Sequence, residues 1–308
     1  MSINNVYKYK LGSSFSNSKK KEIAKRLKNI SEDDAIIDYL KLQEINVNDI
    51  RSETRIGNKF VDYFTFEPRL ETISKRGLNF FQFLQDKEYH KKPYIKKLID
   101  SQNDKDKDLT IYRVFKLHCG SIGIFKPVTA LEVFEKYNPF SVLDFTMGWG
   151  GRLVGACVAN IPNYIGIDSN LSLKIPYQQM VEVIEEIGTE TKIHLIFRDA
   201  LKVDYSKLDY DMVFTSPPYY NTEIYEHMKP KDYYQWNEKF YIPLFSKTYK
   251  YLKKHGYYIL NVQKDLYQSV CIPLFGKATN KILLKNKRKP KNQKSPDDYN
   301  EYLYVWKK

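Results

Sequence analysis

From Val128 to Val262 the chain alternates short apolar runs with stretches of helical periodicity, and this alternation narrows the fold more than any other feature. Ser141–Phe145, Tyr164–Asp168, Ile193–Phe197, Asp211–Thr215 and Tyr257–Val262 have strand length and apolar content. Thr129–Tyr137, Arg152–Ala159, Leu171–Ile187 and Trp236–Leu252 read as helices. Leu131, Phe134 and Tyr137 recur at helical spacing, as do Phe240, Leu244, Thr248 and Tyr251 or Leu252. Strands separated by helices pair through crossovers, so the expected fold class is α/β, a parallel sheet covered by helices on both faces. Lys281–Lys285 and Tyr302–Trp306 break the pattern. They read as two strands joined by a long polar loop, a terminal antiparallel hairpin.

The first ~120 residues lack this alternation. Lys19–Leu27 and Asp33–Leu42 read as short helices, with Ser31 placed to cap the second and Glu32, Asp33 and Asp34 suited to its first turn. Between Phe60 and Phe83, aromatic residues are interleaved with Arg69, Lys75 and Arg76. Such rings can stack on nucleic-acid bases; core packing is their commoner use. Ser101–Asp108 reads as an exposed loop. The expected organisation is a mainly helical region, 1–120, followed by an α/β domain, 121–308.

Composition removes several classes. Apolar residues make up 42% of the 308, which is enough for a packed core. No apolar run reaches about 18 residues, so no transmembrane helix is expected, and Met1–Lys10 lacks the apolar centre of a secretion signal. Three scattered cysteines argue against a disulfide framework and for a reducing compartment, cytoplasmic or nucleoid/nuclear. The histidines show no zinc spacing, so no metal is expected. A net charge of +13 favours polyanionic partners without naming one.

Ligands of such sheets sit at the carboxyl ends of strands. The segment VLDFTMGWGGR puts Asp144, Phe145 and Thr146 at the end of the first strand and Gly148 and Gly150 in the turn that follows. Glycines there let the backbone approach a ligand. Asp168, with Ser169 after it, ends the next strand about 20 residues on, where a carboxylate can accept from both ribose hydroxyls. The turn reads D-x-x-x-G-x-G, not the G-x-G-x-x-G that cradles a pyrophosphate, and no P-loop lysine pattern occurs. An acid before the turn repels phosphate and suits an ammonium. S-adenosylmethionine carries an ammonium, a sulfonium and a ribose diol without phosphate, so it fits better than NAD or ATP.

The sharpest signal is Thr215-Ser216-Pro217-Pro218-Tyr219, directly after the strand DMVF. Two prolines fix φ and remove donors, giving a rigid turn whose carbonyls are available as acceptors. The Ser216 hydroxyl oxygen and the Pro217 carbonyl, set on the hydrogens of a base's exocyclic amine, would draw its lone pair out of conjugation. Tyr219 would stack on the base. That chemistry needs positioning and preorganised acceptors, not a strong base.

With these motifs the sequence resembles the DNA amino-methyltransferases that act on adenine N6 or cytosine N4. Their [DNS]PP[YFW] turn matches SPPY, and their DPFxGxG motif matches DFTMGWG, with Phe145 in place of proline and Trp149 in place of a small residue. IFKPVTALEVFEKY is similar to the segment that precedes the glycine motif. The resemblance spans roughly 121–308 and implies a Rossmann-like S-adenosylmethionine-dependent fold. It also implies that Phe125 and Lys126 line the methionine part of the cofactor, and that Asp199 and Ala200 lie by its adenine. Ser216 leans the reading toward cytosine, with adenine nearly equal.

The target amine lies inside a duplex, so the base must be flipped out. The loop between the last two predicted strands carries Lys285, Lys287, Arg288, Lys289, Lys291 and Lys294 without an acid among them, suited to phosphate contact or to a plain solvated surface. Asn221–Tyr234 has the length and the tyrosine and lysine content of an active-site loop. Target reading falls to the N-terminal region and these loops. DNA is the expected partner ahead of RNA. An RNA or protein amino-methyltransferase, or a noncatalytic nucleic-acid-binding subunit on the same fold, are the alternatives.

Overall fold

The computed structural model describes residues 15–47, 54–74, 76–102, 106–120, 122–219, 233–285 and 300–308. In chain order, the helices before the sheet are α1 (Asn17–Leu27), α2 (Glu32–Gln43), α3 (Asn58–Leu70), α4 (Phe80–Gln85), α5 (Lys87–His90), α6 (Pro93–Asp100), α7 (Lys107–Cys119) and α8 (Pro127–Tyr137). Then come β1 (Ser141–Asp144), α9 (Gly151–Val158), β2 (Asn163–Asp168), α10 (Lys174–Ile187), β3 (Lys192–Phe197) and β4 (Met212–Thr215). They are followed by α11 (Tyr233–Trp236), α12 (Ile242–Tyr251), β5 (Tyr257–Asn261), α13 (Lys264–Leu266), α14 (Ile272–Phe275), β6 (Asn280–Lys285) and β7 (Glu301–Lys307).

These elements form two compact units. The helical unit draws on residues 15–32 and 65–123. Its core is built from Ile23, Phe66, Leu70, Phe80, Phe81, Phe83, Ile111, Val114 and Phe115, all buried. Most of the aromatic run expected either to stack on bases or to pack is packed: Phe80, Phe81 and Phe83 are each 0% exposed, while Tyr63 is exposed. Burying each ring contributes roughly 1.5–3 kcal/mol, more than an exposed stacking platform could return to the fold. Asn79 caps α4 with a reciprocal box, accepting from the Gln82 amide at 2.8 Å while Gln82 accepts from its own at 2.9 Å. The exposed loop expected over Ser101–Asp108 ends early, because Asp106 caps α7 by accepting from Asp108 and Leu109.

Residues 33–47 and 54–64 belong with the sheet unit. Tyr39 and Phe60 meet at 4.8 Å between centroids. Gly57 has φ +85, and a Cβ there would lie 2.8 Å from Leu42 and from Pro127, so only glycine fits the turn.

The sheet order is β3-β2-β1-β4-β5-β7-β6. The first five strands pair in parallel, as the alternation required, and β7 runs antiparallel to both β5 and β6. The C-terminal hairpin is thus part of the main sheet, with its second strand inserted against β5. β1 and β4 are buried throughout, whereas edge strand β3 is only partly covered. This is a mixed α/β, Rossmann-like sheet with an antiparallel end. The order reverses between β1 and β4, and the crevice at that switch is where open α/β sheets bind ligands.

The single helix expected over Trp236–Leu252 is interrupted: residues 237–241 form a π turn between α11 and α12. A second π turn, Tyr267–Cys271, joins α13 to α14. Such turns insert one residue into the helical ladder and rotate the side chains that follow, which a 3.6-residue period does not reveal. All three cysteines are buried and outside any disulfide, and burial pushes the Cys157 thiol up to about 12. Among the described residues no helix is long and apolar enough to cross a membrane.

Candidate active site at the strand switch

The two motifs singled out in the sequence leave neighbouring strands at their carboxyl ends. β1 delivers the glycine turn, β4 delivers Ser216–Tyr219, and the two strands pair directly through Val142–Met212 and Leu143–Val213. Beneath both turns lies a buried polar network. Arg152, from the first turn of α9, donates Nε to Asp144 Oδ2 at 2.7 Å and Nη2 to Oδ1 at 3.1 Å. Tyr164 donates to Oδ2 and Thr215 to Oδ1, each at 2.7 Å. Arg152 also donates to the Thr146 carbonyl at 2.6 Å. Since the Thr215 proton goes to Asp144, the 2.6 Å contact between Thr215 Oγ1 and Thr146 Oγ1 has Thr146 as donor.

Two expectations change here. Asp144 is 0% exposed and saturated by three donors, so it does not present a carboxylate to a ligand's ammonium. A buried carboxylate needs a compensating cation, and Arg152 supplies it. Burial works against the Arg152 charge, but Asp144 outweighs it and holds the guanidinium above its ordinary value. Phe145 is likewise 0% exposed and packs toward Phe245 with centroids 6.0 Å apart, a core residue and not part of a ligand wall.

The glycines divide their roles. Gly148 has φ +59, and an added Cβ would meet nothing nearer than 3.9 Å, so its outer face is open. Gly150 also needs its positive φ, +95, but a Cβ there would strike Met180 at 2.9 Å; it seats the turn on α10 and does not open it to a ligand. Gly151 brings α9 against the upstream segment so tightly that a Cβ would lie 1.8 Å from the Phe125 carbonyl oxygen. Tyr177 pins the turn from below, donating to the Met147 and Gly148 carbonyls at 3.2 and 3.1 Å.

Asp168 ends β2 beside this turn. It accepts from the Gly148 amide at 2.9 Å through Oδ2 and from the Asn170 amide at 2.9 Å through Oδ1. Ser169 next to it is exposed. Asp199, following β3, accepts from the Leu201 amide at 3.0 Å, and Ala200 is buried behind it. Phe125 is half-buried, edge-on to Phe214 at 5.4 Å and with the Arg152 guanidinium 5.3 Å from its ring centre. Lys126 occupies the N-cap position of α8, ahead of Pro127.

In the second turn, Ser216 donates to Asn261 Oδ1 at 3.1 Å, and Tyr219 donates to the same oxygen at 2.8 Å. Pro217 is buried. The expectation that the turn's carbonyls stay available holds in part. The Pro218 carbonyl accepts from Tyr241 of the π turn, whereas among the described residues nothing donates to the Pro217 carbonyl. Sequence reasoning missed Arg152, Tyr164, Tyr177, Tyr241 and Asn261. An arginine just after a glycine turn, close to a strand-end acid, was the one signal on view. The basic residues Lys287, Arg288, Lys289, Lys291 and Lys294 lie outside the described residues, as does Asn221–Lys231; Lys285 closes β6.

No family model matches this sequence, and no curated relative matches it. Among solved structures, the chain is similar to HI0767 from Haemophilus influenzae, at 16% identity over 59% of this chain and 86% of that one, with a TM-score of 0.36. It is also similar to SMU.776 complexed with SAH, at 16% identity over 61% of this chain and 52% of that one, with a TM-score of 0.40. A third is TrmN from Thermus thermophilus, at 15% identity over 60% and 50%, with a TM-score of 0.38. At these levels of likeness the chemistry has to be read from this chain's own residues.

Proposed function

We propose that this chain is an S-adenosylmethionine-dependent methyltransferase that methylates the exocyclic amine of a flipped base in DNA, cytosine N4 or adenine N6. The observation that carries the reading is the departure of the glycine turn and the Ser-Pro-Pro-Tyr turn from paired strands at the sheet's switch point.

The residues present fit the cofactor. Gly148 offers an open backbone face, Asp168 a strand-end carboxylate for a ribose diol, and Asp199 a polar edge for the adenine. Phe125 and Lys126 would flank the methionine part, with Lys126 toward its carboxylate. Because Asp144 is committed to Arg152, the ammonium falls to backbone carbonyls. When bound, the cofactor supplies an electrophilic methyl carbon on a sulfonium.

The protein's part is to make a poor nucleophile good. Ser216 Oγ and the Pro217 carbonyl would accept the two amine hydrogens and rotate the nitrogen lone pair out of the ring plane toward the methyl carbon. These bonds strengthen as the nitrogen becomes tetrahedral, so they act mainly on the transition state. Tyr219 would hold the base by stacking, worth about 1–3 kcal/mol. The proton displaced from nitrogen leaves to water, and no strong general base is required.

The test is transfer of tritiated methyl groups to DNA, RNA and protein side by side, followed by mass spectrometry of digested nucleosides. N4-methylcytosine or N6-methyladenine in DNA is the expected product. Label in RNA alone would move the substrate to that polymer, label in protein alone would reject the base chemistry, and no label at all would reject the enzyme.

A further inference from the structure

We infer that Asn261 is a positioning residue that turns Ser216 into a pure hydrogen-bond acceptor and ties it to the base-stacking ring of Tyr219; this rests on the amine-methylation reading above. Asn261 is the last residue of β5, only 3% exposed, and paired with Leu303 of β7. Its Nδ2 donates to the Tyr302 carbonyl at 3.1 Å, which fixes the amide's orientation. Flipping the amide would set Oδ1 against that carbonyl, two acceptors facing each other without a proton. Oδ1 is therefore the group turned toward the site, where it accepts from Ser216 at 3.1 Å and from Tyr219 at 2.8 Å.

A serine hydroxyl has one proton and two lone pairs. With its proton committed to Asn261, Ser216 has only lone pairs to present to the target. It can then accept from an amine hydrogen and cannot spend its proton on the ring nitrogen beside that amine. Tyr219 gains from the same bond: its phenol is tethered to a sheet residue, which limits the ring's motion before a base arrives. One amide thus sets the acceptor and the stacking ring in a common frame, and that frame is carried by the antiparallel strand β7 through Tyr302.

A double-mutant cycle separates this role from ordinary packing. Single-turnover methyl transfer to DNA and S-adenosylmethionine binding are measured for wild type, Ser216→Ala, Asn261→Ala and the double variant. Each single change should slow transfer about tenfold or more, on the scale of a lost hydrogen bond to a reacting group. The double variant should be within about threefold of the slower single, because Asn261 acts through Ser216. Cofactor affinity should not move in any of them. Rate losses that multiply in the double variant would overturn the inference while leaving the methylation reading intact. A wild type that methylates no base would overturn both.

Should Asn261→Ala fail to fold, Tyr219→Phe reads the same tether without touching the sheet. It keeps the ring and should raise KM for DNA about three- to tenfold, more than it lowers kcat. An unchanged KM would overturn the tether.

Discussion

Thr146 and Thr215 share a 2.6 Å hydrogen bond that joins the start of the glycine turn to the last residue of β4, the strand that carries the Ser-Pro-Pro-Tyr turn. The same Thr215 hydroxyl donates to Asp144, so the two turns rest on one buried network whose only formal charges are Asp144 and Arg152. Removing one member leaves the other charge buried and uncompensated. Arg152→Met should destabilise the fold by about 3–5 kcal/mol, and pairing it with Asp144→Leu should recover much of that loss. Urea unfolding of wild type and the two variants measures both. A cost under about 1 kcal/mol for Arg152→Met would mean that water reaches Asp144 and the network is not a closed floor.

Gly148, in the turn, and Gly151, which opens α9, make opposite demands. At Gly151 an alanine Cβ would sit 1.8 Å from a backbone oxygen, so Gly151→Ala must push the Phe125 segment away from α9. The expected loss is about 3 kcal/mol or more of stability, the upper end for overpacking. At Gly148 the space is open and only the φ of +59 opposes alanine, a strain of about 1–2 kcal/mol. Its Cβ would instead stand in the face assigned to the cofactor. Gly148→Ala should therefore fold, with a small drop in melting temperature, yet bind S-adenosylmethionine at least tenfold more weakly. Calorimetry on the folded variant decides it, and unchanged affinity would place the cofactor elsewhere.

Asp168 carries a prediction of its own. Its two oxygens accept from the Gly148 and Asn170 amides, which orient the carboxylate at the end of β2 beside the glycine turn. Asp168→Ala should weaken cofactor binding by about 1–3 kcal/mol, the scale for hydrogen bonds to a charged group. Equal affinity for variant and wild type in calorimetry would remove Asp168 from the site.

How much of this was readable beforehand follows from what a linear pattern can encode. The alternation of apolar runs and helices encodes crossovers, so the parallel sheet and its antiparallel end were legible, as were the two turns that glycine and proline punctuate. Strand order is only partly encoded, and the adjacency of β1 and β4, 71 positions apart at the Asp144–Thr215 bond, comes from the sheet. Asp144 was misjudged for the same reason: a strand-end acid looks alike whether it faces a ligand or a buried arginine. Asn261 left no signal, since one polar residue closing an apolar strand is ordinary. The aromatic run at Phe80–Phe83 was ambiguous until a core closed around it.

The last prediction concerns the polymer. Between β6 and β7 the sequence carries Lys287, Arg288, Lys289, Lys291 and Lys294 with no acid from Lys285 to Lys294, and β7 is the strand whose Tyr302 carbonyl anchors Asn261. A cation run in that connection is suited to phosphates, and phosphate contacts release counterions, so binding weakens as salt rises. Each contact contributes about 0.9 to the slope of log K against log salt on duplex DNA. Replacing Lys287, Arg288 and Lys289 with alanine should flatten that slope by roughly two to three units and weaken binding to unrelated duplexes alike, because phosphates carry no sequence. S-adenosylmethionine affinity should stay the same, since no residue of this run is assigned to the cofactor. Fluorescence anisotropy over a salt series measures the slope. An unchanged slope would make the run a solvated surface and move duplex contact to other basic residues of the chain.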